Sequence, residues 1–87
     1  MLQAMGIVEV KSLVGAIEAA DAMLKAANVN LADFQIVGSG IVCVTVTGDV
    51  GAVIASVESG KEHAQKIAEI ISVNVIPRPH DEVGKII

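Results

Sequence analysis

The apolar positions of this chain switch between a period of two and a period near 3.6, and the switches divide it into six elements. Residues 5–10 alternate, with Val8 and Val10 on one face and Ile7 and Glu9 on the other, the pattern of a strand. Ser12 is placed to cap a helix. Over residues 13–27 the apolar positions Leu13, Ala16, Ile17, Ala20, Leu24 and Ala27 recur at steps of three and four, opposite Glu18, Asp21, Lys25 and Asn28. A loop through Asn28, Asn30 and Asp33 then leads to strands at residues 34–37 and 41–47, the second alternating Val42, Val44 and Val46 with Cys43, Thr45 and Thr47. Between them Gly38-Ser39-Gly40 forms a tight three-residue connection, because glycine takes positive φ without steric cost.

Asp49 is placed to cap a second helix, whose expected inner face carries Val50, Val53, Ile54, Val57, Ala64, Ile67 and Ile71. Gly60 in its interior costs about 1 kcal/mol against alanine, so a close packing approach is expected there. Val73 and Val75 with Asn74 and Ile76 make a last strand, ended by Pro77-Arg78-Pro79. Residues 81–87 are expected to add a short helical turn. The order βαββαβ implies an α+β, ferredoxin-like fold: a four-stranded antiparallel sheet with both helices on one face. Ile7, Ile36, Ile41, Cys43 and Ile76 are candidates for the uncovered face or for subunit contacts.

Composition sharpens this picture. The chain has 87 residues, of which 53% are hydrophobic and 1% aromatic. A domain of that size buries only roughly 60–65% of the surface its unfolded form exposes, so apolar surface is left over. A membrane span does not absorb it: the longest charge-free stretch, residues 34–48, contains three glycines and several polar residues, whereas a spanning helix needs about 20 mostly apolar ones. Self-association does. Cys43 is the only cysteine, so no intrachain disulfide forms, and Glu9 and Lys11 interrupt the N-terminus before a signal-peptide core. These features point to a cytoplasmic protein. The net charge of −4 argues against binding nucleic acid, which needs clustered Lys and Arg.

Catalytic and metal chemistry find little purchase. His63, His80 and Cys43 have no recognised metal-ligand spacing, and Cys43 has no base beside it in the sequence. The Gly-Ser-Gly connection lacks the frame of a phosphate-binding loop, so by itself it reads as a turn. One phenylalanine cannot stack RNA bases. An acylphosphatase-like site would need an arginine near the first strand, and the only arginine is Arg78.

Five segments, taken in order, form a recognisable set: Met5-Gly6-Ile7-Val8-Glu9, Ala16-Ile17-Glu18-Ala19-Ala20-Asp21-Ala22-Met23, Gly38-Ser39-Gly40, Gly48-Asp49-Val50-Gly51-Ala52-Val53 and Val75-Ile76-Pro77-Arg78-Pro79-His80. Together they resemble the hexameric shell proteins of bacterial microcompartments (the BMC domain), most closely those of the propanediol- and ethanolamine-utilisation type. The resemblance implies one BMC shell domain over residues 1–87, cyclic homohexamers that tile into shell facets, no enzymatic activity and no cofactor. Its implied partners are other shell proteins, encapsulated enzymes and small polar metabolites that cross a central pore.

By the same resemblance, Ile36, Val37, Gly38, Ser39 and Gly40 line the pore. Six Ser39 hydroxyls there would replace part of a polar solute's hydration. Lys25, Asn28 and Arg78 match the edge where hexamers meet; read alone, Lys25 and Arg78 are ordinary solvated charges. Two positions depart from the propanediol-type pattern: Ile36 stands where relatives carry lysine, and Thr47 where many carry arginine. The first removes a ring of positive charge near the pore. The βαββαβ order also suits a small-molecule-sensing regulatory domain of the ACT-like sort, the alternative from another functional class.

Overall fold

The computed structural model describes residues 3–77. Six elements follow in chain order: β1 (Ala4–Val10), α1 (Leu13–Ala26), β2 (Asn30–Gly38), β3 (Ile41–Gly48), α2 (Val50–Ala64) and β4 (Ile70–Ile76). The strands form one sheet in the order β2-β3-β1-β4, and every neighbouring pair is antiparallel. This is the α+β arrangement expected. Arg78, His80 and the turn expected at residues 81–87 lie outside the described residues.

The core forms between the sheet and the two helices. Val8 and Val10 of β1 lie opposite Val44 and Val42 of β3, and all four are buried against α1 and α2. α1 covers chiefly β3 and β1, and α2 covers β1 and β4, so β2 extends beyond the helix layer as an edge strand. The layer sits close to the sheet because small residues permit it. A Cβ on Gly6 would lie 2.5 Å from Val57 Cγ2, a separation that real side chains do not adopt. Between the helices, Ser56 is fully buried and its hydroxyl donates to the Met23 carbonyl at 3.1 Å. That carbonyl belongs to the last turn of α1, where acceptors lack an intrahelical partner.

Ser12 caps α1 as expected, its Oγ accepting from the Gly15 N–H at 3.0 Å. Asp49 holds the cap position of α2 with extended backbone but makes no side-chain cap hydrogen bond. β2 starts earlier than the sequence suggests: Asn30 pairs with Thr47 and Asp33 with Thr45, across a register shift at Ala32. An edge strand tolerates those polar residues because its outer side faces solvent.

The helix faces need the larger correction. α1 buries Gly15, Ala16, Ala19, Ala20, Ala22 and Met23, while Leu13, Ile17 and Leu24, expected inside, are 50%, 55% and 43% exposed. At 3.6 residues per turn the large aliphatic stripe lies about a third of a turn from the middle of the buried face. Ala27, also expected inside, follows the helix and packs half-buried against the core. Only small side chains fit the narrow gaps toward the sheet and α2. On α2, Val53, Val57 and Ala64 are buried as expected, whereas Val50 and Ile54 are exposed. Ile67 follows the helix and is exposed, and Ile71 belongs to β4.

Candidate functional site

The hairpin between β2 and β3 is tighter than three residues. Gly38 still pairs with Ile41, leaving Ser39 and Gly40 as the turn. Both take positive φ, 53° and 79°, and Gly38 adds 104°. Positive φ at both central residues matches the twist of antiparallel strands. For Ser39 that conformation costs about 1–2 kcal/mol relative to the right-handed region. A side chain on Gly38 would meet nothing within 4 Å, so glycine is required there by its backbone angle and not by crowding.

Ile36 and Val37 lead into this turn, 67% and 52% exposed. Ile36 lies opposite Val42, which places it on the helix-bearing side of the sheet, beyond the reach of α1, and not on the bare face. All five hairpin positions singled out in the sequence are exposed and contiguous at one end of the sheet.

Lys25 and Asn28 lie at the other end. α1 runs back from the hairpin end, so its last turn carries Lys25 to the far side of the molecule. There Lys25 Nζ is 3.0 Å from Asp21 Oδ2 on the helix surface. Asn28 follows, and its carbonyl oxygen would be 3.2 Å from a Cβ on Gly48, at the end of β3. β4 finishes at this same end, with Ile76 opposite Met5. The expected edge residues Lys25 and Asn28 are thus brought together, separated from the hairpin by the length of a strand; Arg78 lies outside the described residues.

Other surfaces offer less chemistry. Glu18, Asp21, Lys25, Ser59 and His63 line a groove of about 350 Å³ between the helices. The His63 ring is turned back onto its own helix, with Nδ1–H donating to the Ser59 carbonyl at 2.8 Å. Cys43 lies on the bare face opposite Glu9 and Gln35. Burial pushes its thiol up from the ordinary value, the Glu9 and Asp33 carboxylates add to the rise, and the Thr45 hydroxyl opposes it. Such a thiol is a poor nucleophile at neutral pH. Among the described residues no three or more His, Cys, Asp and Glu side chains group to hold a metal, and no helix is long and apolar enough to cross a membrane.

Lys11 was not among the positions singled out in the sequence. It follows β1, and its Cγ is 3.9 Å from where a Cβ of Gly40 would lie. The signal that finds it is the β1–β3 register, which sets Val10 opposite Val42 and so brings the residue after Val10 beside the hairpin.

A family model described as the BMC domain matches residues 4–79. The chain belongs to the BMC-domain family. Within it, the chain is 53% identical over 85 residues to the bacterial microcompartment shell protein PduA of Citrobacter freundii, covering 98% of this chain and 91% of that one. It is 44% identical to the microcompartment shell protein EutM of Escherichia coli strain K12, covering 98% and 88%. The carboxysome shell protein CsoS1A of Hydrogenovibrio crunogenus is also 44% identical, covering 97% and 88%. Among solved structures, a microcompartment protein from Desulfitobacterium hafniense superposes with a TM-score of 0.85 at 41% identity. That match covers 95% of this chain but 45% of the other, so this BMC domain spans less than half of the solved chain. Family membership decides between the two readings of the βαββαβ order, in favour of the BMC domain over the ACT-like alternative.

Proposed function

We propose that this BMC domain is a structural shell protein of a bacterial microcompartment in the cytoplasm, not an enzyme. Six copies form a cyclic homohexamer, and hexamers tile beside other shell proteins into facets around encapsulated enzymes. Ile36, Val37, Gly38, Ser39 and Gly40 line a narrow central pore for small polar metabolites. Lys25, Asn28 and Arg78 meet neighbouring hexamers at the rim.

The observation that carries this reading is the apolar surface of the isolated chain. Leu13, Ile17, Leu24, Leu31 and Ile36 are exposed on the α1 and β2 flank, and Val50, Ile54, Ile71 and Ile76 on α2 and β4. A monomer of this size rarely exposes so much aliphatic surface. Two different flanks on one chain suit a head-to-tail interface, which closes into a ring when its rotation allows. The relatives named as shell proteins support the shell role. Separating hairpin from edge by a strand length lets one face an axis while the other faces outward.

Native mass spectrometry of the purified protein tests this. The expected species is a hexamer at micromolar concentration, and a monomer or dimer across physiological salt and pH would overturn the reading.

A further inference from the structure

The charge nearest the hairpin comes from outside it. Residues 34–48, which include the whole turn, carry no charged side chain. Asp33 sits about 20 Å from Ser39 along the extended strand, beyond two screening lengths at physiological salt. Lys11 lies beside Gly40, with the two close enough for its stem to run alongside the turn. Its position is fixed by the backbone, where the Lys11 N–H donates to the Glu69 carbonyl at 2.9 Å. The side chain is exposed, and among the described residues the only ion pair is Lys25 with Asp21. Glu9, two positions before Lys11, accepts a hydrogen bond from the Ser72 hydroxyl, and Glu69 meets Lys11 through its backbone carbonyl.

We propose that Lys11 is the charge-selectivity residue of the pore, setting a local preference for small anions such as carboxylates at a hairpin that has no charge of its own. This rests on the reading of the hairpin as a pore. In a ring of six, one lysine per subunit places six positive charges around the opening. They stand out in a chain whose formal charge is −4 and which therefore offers anions no general attraction of its own. A Cβ on Gly40 would meet the lysine stem only at ordinary van der Waals distance, so glycine is held there by its positive φ, and the stem lies along the turn with the ammonium free to remain in water. Ile36 takes no part in this selectivity, because its side chain is aliphatic.

The test uses the assembled protein with Cys43→Ala and Ser39→Cys, which leaves one thiol per subunit at the turn. A methanethiosulfonate reagent bearing a sulfonate and one bearing a quaternary ammonium are reacted with it, and the ratio of their rates reads the local potential. Replacing Lys11 with methionine keeps an unbranched stem and removes the charge. The expected result is a roughly five- to tenfold fall in the anionic-to-cationic rate ratio at low salt, shrinking above about 0.5 M salt, with Lys11→Arg retaining the original ratio. An unchanged ratio in Lys11→Met overturns the proposal. Short bismaleimide cross-linking of the same Ser39→Cys protein separates the two readings. A ladder of linked subunits up to the hexamer shows that the hairpins converge, so a failed rate ratio then falls on Lys11 alone. Absence of the ladder overturns the pore and this proposal together.

Discussion

Gly60 of α2 faces Met23 of α1 so closely that a Cβ on the glycine would lie 2.6 Å from Met23 Cγ and 3.3 Å from the Ala19 carbonyl oxygen. The glycine that weakens α2 as an isolated helix is therefore what lets the two helices touch. Gly60→Ala should gain about 1 kcal/mol in helix propensity but cost about 1–3 kcal/mol in overpacking, for a net loss of stability. Chemical denaturation of the variant beside the parent protein, at equal concentration, measures the difference. A more stable variant would show that the helices separate freely.

Ile17 is 55% exposed and belongs to the aliphatic stripe that the core does not use. Ile17→Glu should leave the secondary structure of the subunit intact, since it buries no charge in the fold itself. Within a subunit interface the same carboxylate is costly to desolvate. The expected outcome is an unchanged far-ultraviolet circular dichroism spectrum with loss of the hexamer, read by light scattering.

The pair between Lys25 and Asp21 is exposed on both sides and contributes little to folding, about 0.2–0.5 kcal/mol for such helical pairs. Lys25→Ala should therefore leave subunit stability and hexamers nearly untouched while weakening the growth of extended sheets. Electron microscopy of assembled material, beside native mass spectrometry of the same sample, separates the two levels. Sheets indistinguishable from those of the parent protein would remove Lys25 from the rim.

For Cys43 the folded thiol titrates above its unfolded value, because burial and the Glu9 and Asp33 charges disfavour the thiolate. Its contribution to stability is complete below the ordinary thiol range and is lost as pH rises through the raised folded value. Alkylation by iodoacetamide near neutral pH should be slower in the native protein than in denaturant. Stability should show no dependence on this group until the solution becomes alkaline.

The strands and turns were legible because their signals are local. Alternation in β1 and β3 and the cap at Ser12 act within a few residues and take the form expected, and the glycines locate the hairpin, whose turn is two residues long and not three. The faces of the helices were less legible. In α1 the aliphatic stripe of Leu13, Ile17 and Leu24 and the small stripe of Ala16, Ala19 and Met23 both repeat with a helical period. Periodicity cannot say which one meets the sheet. The choice is made by the width of the gap, which depends on Gly60 and Gly6 in other elements. The start of β2 at Asn30 was hidden for a related reason: polar residues read as a loop until the strand is known to be an edge. Of the functional positions, the exposed turn was visible from Gly38-Ser39-Gly40, but Lys11 was not, because its neighbour Gly40 is reached only through the pairing of β1 with β3.

The hairpin and the Lys25 end of α1 are held apart by β2, whose nine residues span about 26 Å. Substitutions so distant, with no shared partners, combine additively. A lineage can therefore rewrite the turn for a new solute one residue at a time while the surface that fits neighbouring tiles keeps its shape. The strand is a spacer that makes chemistry and masonry separately heritable.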